Sequence, residues 1–177
     1  MPVNDAGLIP DREAAVGDGA RLPLRIWLRL LTCMNMIETM VRARLHAQFA
    51  TTLPRFDVLA ALDAAGTELT MGALSARLMV TSGNVTGLIN AMEQDGLVVR
   101  RRHPGDRRST LISMTDAGCA LFARMAPAHA HWIEQAVAGL DRRELAQLWE
   151  VLGNLKESVR GAAASPVAEA SRKGKRR

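Results

Sequence analysis

Two cysteines, Cys33 and Cys119, are all that this 177-residue chain carries, and they lie far apart on segments that read as helices. That is too few for a disulfide framework or a structural zinc site. His46, His103, His129 and His131 show no metal-ligand spacing with them, so no metal is expected and both thiols are expected buried or half-buried. No apolar run is long enough to cross a bilayer. The opening stretch to Ala20 lacks the basic start and apolar core of a secretory signal, holding Asp5, Asp11, Glu13 and Asp18 against Arg12. A cytoplasmic protein with a disordered lead over 1–20 is expected. There is also no glycine-rich phosphate loop, no nucleophile elbow and no paired-carboxylate pattern. His129 and His131, two apart, point to different sides of a helix. Neither catalysis nor a cofactor is expected.

What the chain does have is an apolar share of 48 %, enough for a core, and an uneven distribution of charge. The formal net charge is +5, and Arg172, Lys173, Lys175, Arg176 and Arg177 alone supply that much, so everything before them is neutral overall. Within 70–112, Arg77, Arg100, Arg101, Arg102, Arg107 and Arg108 stand against Glu93, Asp95 and Asp106. A focused basic patch is what a phosphate backbone attracts, although charge runs are usually just solvated.

Apolar residues from Trp27 through Leu30, Met34, Ile37, Val41 and Leu45 to Phe49 recur at helical spacing, predicting a long helix over 22–49. Thr51-Thr52-Leu53-Pro54 then has helix-start chemistry, a threonine cap followed by proline in the first turn. Phe56, Leu59 and Leu62 continue a shorter helix that Ala65-Gly66 stops. A third helix starts at Thr70 and carries Leu74 and Leu78; a fourth begins at Asn84 and ends at Asp95-Gly96. The period then turns extended. Leu97–Arg102 and Thr110–Met114 read as strands around the turn residues His103-Pro104-Gly105-Asp106, a two-stranded hairpin. Thr115 or Asp116 caps a helix that Pro127 should kink. Asp141 with Glu144 makes a capping box for the last helix, and disorder is expected from Gly161 onward.

Helix, turn, helix and hairpin across 70–114 form the constellation that carries function. A recognition helix presents short polar side chains from its N-terminal end to base edges in the major groove. Here that end reads Thr81-Ser82-Gly83-Asn84-Val85-Thr86, with Val85, Leu88 and Ile89 turned inward. Asparagine can make two hydrogen bonds to adenine, and a threonine methyl can meet that of thymine. An ordinary capped surface helix would explain these residues equally well. The hairpin decides between them: Asp106, Arg107 and Arg108 sit at its tip beside Arg100, Arg101 and Arg102. An arginine-tipped wing can enter a minor groove, and Asp106, two residues from Arg108, can hold that guanidinium in one pose.

Leu74-Ser75-Ala76-Arg77-Leu78, the Thr81–Thr86 segment, Met92–Val98 and Gly105-Asp106-Arg107-Arg108-Ser109 through Met114-Thr115-Asp116-Ala117-Gly118 resemble the MarR family of winged-helix regulators. The resemblance covers about residues 22–160; the helix-plus-wing part is specific, the outer helices generic. It implies a mainly α fold: a winged helix-turn-helix over 54–114 with a two-stranded β wing. An α-helical dimerisation region would be built from 21–50 and 116–160, all within a single domain over 21–160, with a disordered basic tail over 161–177. The first, fifth and sixth helices would interlock in a homodimer on a palindromic double-stranded operator. Arg108 then takes the minor groove and Asp106 orients it. Thr81, Ser82, Asn84, Val85 and Thr86 form the base-contacting segment, Arg77, Arg100, Arg101 and Arg102 fall to the phosphate backbone, and Arg107 joins the DNA-binding residues of the wing. Independently, the apolar faces of 22–49 and 141–160 are longer than the wing domain can cover, which fits burial by a partner chain.

The resemblance further implies a ligand-responsive repressor released by a small aromatic acid or phenolic compound, or a coenzyme A thioester. Candidate ligand residues are Arg25 and Arg29 for a carboxylate, and Trp27, Cys33, Met36 and Phe56 for an apolar pocket. Each has a plainer account as solvated arginine or core. Two rival functions remain. A thiol-based redox sensor would use Cys33, but such sensors in this family rely on tyrosines and the chain has none. A nonspecific architectural protein would use the basic tail, but would leave the polar start of the helix over 84–95 without a purpose.

Overall fold

Pro23 stands in the first turn of the opening helix, where a missing N–H leaves no bond unmade. From there α1 runs from Leu22 to Phe49 over 28 residues. Ala50 ends it in the left-handed region (φ 49°), its N–H donating to the His46 carbonyl at 3.1 Å. The computed structural model describes residues 21–78 and 82–164. The expected lead over 1–20, the basic tail from 165 and Thr81 lie outside these.

The chain divides into two compact units, one up to Gln135 and one from Ala136. In the first, α2 (Leu53–Ala65) starts with Pro54 in its first turn and stops at Gly66, φ 61°. Thr52 occupies the cap position but makes no side-chain capping bond; its carbonyl instead accepts from the N–H groups of Arg55 and Phe56. The two-residue strand β1 (Leu69–Thr70) leads into α3 (Met71–Leu78), whose first turn is capped by Thr70 Oγ1 accepting from Ala73 N at 3.1 Å. Then come α4 (Ser82–Gln94), β2 (Val98–His103), β3 (Asp106–Met114) and α5 (Asp116–Ala136).

The expected two-stranded hairpin, β2 with β3, is present and is extended by β1 into an antiparallel sheet of order β1–β3–β2. Leu69 lies opposite Ile112 and Thr70 opposite Leu111, so β1 covers the far edge of β3 and anchors the hairpin to the helices. The core gathers Val58 and Leu59 of α2, Leu74 of α3, Ile89 and Met92 of α4, Ile112 of β3 and Met125 of α5. Each such burial contributes about 1.5–3 kcal/mol.

Thr115 and Gly118 join the hairpin to α5. Thr115 N donates to the Leu97 carbonyl at 3.1 Å, and its hydroxyl donates to the Gly96 carbonyl at 2.6 Å. That same Oγ1 accepts from Gly118 N at 3.1 Å, capping α5 as expected. α5 continues through Pro127 as one element. Both thiols, expected buried or half-buried, are exposed.

The second unit holds α6 (Arg142–Ala164), opened by the reciprocal bonds of the expected capping box. Glu144 N donates to Asp141 Oδ1 and Asp141 N to Glu144 Oε2, both at 2.8 Å. The helix passes Gly161, where disorder was expected, and ends at Ala164. Leu145, Leu148, Trp149, Leu152, Leu155 and Val159 are exposed along it, as are Leu22, Trp27, Met34 and Met36 on α1. No helix among the described residues is long and apolar enough to cross a membrane.

Candidate nucleic-acid interface

The spacing of apolar residues on α4 decides which face it shows. Val85, Ile89 and Met92, at i, i+4 and i+7, have no exposed surface, while Thr86, Gly87 and Asn90 on the other face are exposed. Ser82 and Asn84 belong to the first turn of this helix, the end whose unpaired N–H groups favour a phosphate. Val85, counted within the base-contacting segment, is locked in the core and holds the helix rather than touching a base. Arg77 lies exposed in the last turn of α3.

The wing is irregular at its tip. From Val98 opposite Met114 to Arg102 opposite Thr110 the strands keep one register, and then His103 pairs with Asp106. The register shift falls between Arg102 and His103 and leaves residues 107–109 of β3 without a partner on β2. Such a bulge bends a strand and re-aims its side chains. Arg107 and Arg108 are placed in it by the backbone. His103 Nδ1 accepts from Gly105 N at 3.1 Å and tightens the turn; Asp106 is exposed.

The three arginines on β2 do different things. Arg100 reaches Glu93 Oε2 at 3.3 Å and the Thr86 carbonyl at 3.4 Å, both on α4. Arg101 donates to Glu68 Oε2 at 2.6 Å, and these hydrogen bonds hold the Glu68 carboxyl below its ordinary value. Arg102 is exposed and has no ion pair among the described residues. Glu68 and Glu93 direct two of these arginines; from sequence Glu93 figures only as a counter-charge, and finding Glu68 required knowing that β1 joins the sheet. Arg55 of α2 pairs with Asp95 just beyond the far end of α4. The candidate recognition helix is thus tied near both ends.

None of the six expected ligand residues lines the hollows described below. Trp27, Arg29, Cys33 and Met36 are exposed on α1, Arg25 is half-buried there, and Phe56 lies in the core with its ring stacked 4.6 Å from that of His129. A hollow of about 400 Å³ opens elsewhere, walled by Glu38 and Arg42 of α1, Leu53, Pro54 and Asp57 of α2, Leu78 of α3, and Val85 and Leu88 of α4. Arg42 is already paired with Glu38. Asp57 is exposed at the rim, yet desolvation against the apolar wall raises its carboxyl above the ordinary value, Arg42 opposing and Glu38 adding to the rise. Burial likewise lowers the pKa of His129, which faces a neighbouring hollow.

A helix-turn-helix whose second helix is clasped to an arginine-tipped, two-stranded wing on a three-stranded sheet defines a winged-helix regulator. The MarR family model matches residues 51–109. The transcriptional activatory protein BadR of Rhodopseudomonas palustris is 30 % identical over 151 residues, covering 81 % of this chain and 86 % of that protein. The HTH-type regulator YkoM of Bacillus subtilis is 39 % identical over 75 residues, 42 % of this chain; the chain spans about half of that protein's length, 49 %. Among solved structures, the organohalide-sensing regulator RdhR, in its 2,4-dichlorophenol-bound form, shares the fold with a TM-score of 0.70 at 20 % identity, covering 89 % of both chains. The chain belongs to the MarR family of transcription regulators.

Proposed function

We propose that this chain is a cytoplasmic, homodimeric repressor that reads a palindromic operator through α4 and the wing and is released by a small phenolic effector. The observation that carries the release step is the wall of the 400 Å³ hollow, which includes Val85 and Leu88 of α4 itself. A ligand seated there presses on the element that must enter the major groove, and it weakens DNA binding by favouring a state in which that helix is displaced. The exposed apolar residues of α6 and of the N-terminal half of α1 supply the surface for a second subunit. In this reading 21–50 and 116–160 pair subunits and 54–114 binds DNA. Repression is the sign proposed; it depends on where the operator lies relative to the promoter, and BadR is named as an activator.

The wall also selects among effectors. Among the described residues of the wall the one cation, Arg42, is engaged by Glu38, and Asp57 adds a second carboxylate. An aromatic carboxylate meets net negative charge there, and a coenzyme A thioester finds too few cations for its phosphates. A neutral phenol can donate to Asp57 and place its ring against Leu53, Pro54 and Leu88. RdhR, of similar fold, holds a chlorinated phenol.

The reading is tested by selecting duplexes from a randomised library with the full chain. Two inverted half-sites about one helical turn apart are expected. Adding 2,4-dichlorophenol should release the selected duplex at lower concentration than benzoate; indifference to both defeats the effector assignment. In the same assay Asn84→Ala should cost about 1–3 kcal/mol and relax preference at one base position. An equal loss on every sequence would make Asn84 a backbone contact.

Asp57 adds a pH signature. Its raised carboxyl means that the folded chain holds the proton more tightly than the unfolded chain. The stability this gives is complete below the unfolded carboxylate range and is lost as pH rises through the folded value. Asp57→Asn should therefore raise the melting temperature at pH 7, with a gain that shrinks toward about pH 4. A gain that grows on acidification contradicts the assignment.

A further inference from the structure

The outer edge of β2 is the open edge of the sheet, and an unpaired strand N–H there needs a partner. At Arg100 that partner comes from the recognition helix: Arg100 N donates to Glu93 Oε1 at 3.2 Å. The Arg100 guanidinium turns back to the other Glu93 oxygen at 3.3 Å and to the Thr86 carbonyl at 3.4 Å. Thr86 and Glu93 are two turns apart on α4, so one arginine spans most of the helix length between them. Both side chains are partly accessible, 26 % for Arg100 and 38 % for Glu93.

We infer that Glu93 and Arg100 are positioning residues that fix the angle between recognition helix and wing, and hence which spacing of major- and minor-groove features the protein accepts. This rests on the two-groove reading above. Its physical content is that Arg100 spends its guanidinium on α4 rather than on a phosphate, and that an acidic residue beside the DNA surface strengthens specific binding. Charge alone predicts the opposite, because removing a carboxylate from such a surface raises affinity for DNA of any sequence. Preorganisation predicts a selective loss, since a wing free to swing must be ordered again on binding.

The variants Glu93→Ala, Arg100→Gln and their combination separate these views in the full-length protein. The probes are the duplex selected by the wild-type chain and a random duplex of equal length, titrated over salt. Each single variant should lower the selected-over-random ratio about tenfold, and the pair should lose little more than the worse single variant. Arg100→Gln should leave the salt slope unchanged, whereas loss of a phosphate contact reduces it by about one unit per contact. Hydrogen exchange at the Arg100 amide gives a readout without DNA and should accelerate in Glu93→Ala. Failure to enrich any duplex would count against the operator reading, while the exchange rate would still decide the clasp. Unchanged exchange at Arg100, or a Glu93→Ala protein that binds the selected duplex as tightly as wild type or tighter, overturns the inference.

Discussion

Gly118→Ala is expected to lower the melting temperature of the full chain by roughly 6–12 °C, from about 3 kcal/mol of overpacking. A Cβ at this position would lie 2.1 Å from the Leu97 carbonyl oxygen and 3.1 Å from its carbon. The obstacle is backbone, and it is held from several directions. Leu97 N donates to the Met92 carbonyl at 2.9 Å, its carbonyl accepts from Thr115 N, and the preceding Gly96 occupies the left-handed region with φ 69°. Relief would have to move the end of α4 or the start of β2, so the variant should also weaken operator binding. Gly72→Ala is the control, since a Cβ there meets nothing within 4 Å and alanine favours a helix. Thermal melts of both proteins check this; a Gly118→Ala shift below about 2 °C would mean that the crossing is loose.

The second large effect is expected on DNA. Arg108→Ala should weaken binding to the selected operator about 100-fold while leaving circular dichroism and the proposed dimer intact. Loss of a groove-inserted arginine costs about 1–3 kcal/mol, and the proposed symmetric dimer would lose it twice, so about 1.4 kcal/mol per wing gives that factor. A phosphate contact would instead weaken all duplexes alike and flatten the salt dependence. Gel shifts on selected and random duplexes, at two salt concentrations, distinguish these outcomes; unchanged operator affinity removes the wing from the interface.

The parts of this architecture that were legible in the sequence are those with strong local punctuation. The capping box at Asp141 and Glu144, the glycine stops at Gly66 and Gly96, and the change of period at Leu97 each act over a few residues; the structure keeps the first two and starts the strand one residue later, at Val98. β1 was missed because a two-residue strand has no period; only its pairing with Ile112 and Leu111 defines it. The end of α6 was misplaced because glycine and small residues after Arg160 favour disorder only weakly against an established helix. The ligand residues show a different limit. The expected ligand residues lie mostly on the N-terminal half of α1, whereas the hollow is walled by Glu38 and Arg42 of its C-terminal half. Convergence of Glu38, Asp57 and Leu88 from three helices is a tertiary fact that no single stretch of chain announces.

The bulge at residues 107–109 has an evolutionary consequence. Because those residues already stand outside the paired ladder, a residue gained or lost there need not slide Val98 past Met114 or turn the inner faces of the strands outward. The length of the hairpin's reach can therefore drift between relatives while the sheet beneath it stays the same, letting new target sites be explored without refolding the protein.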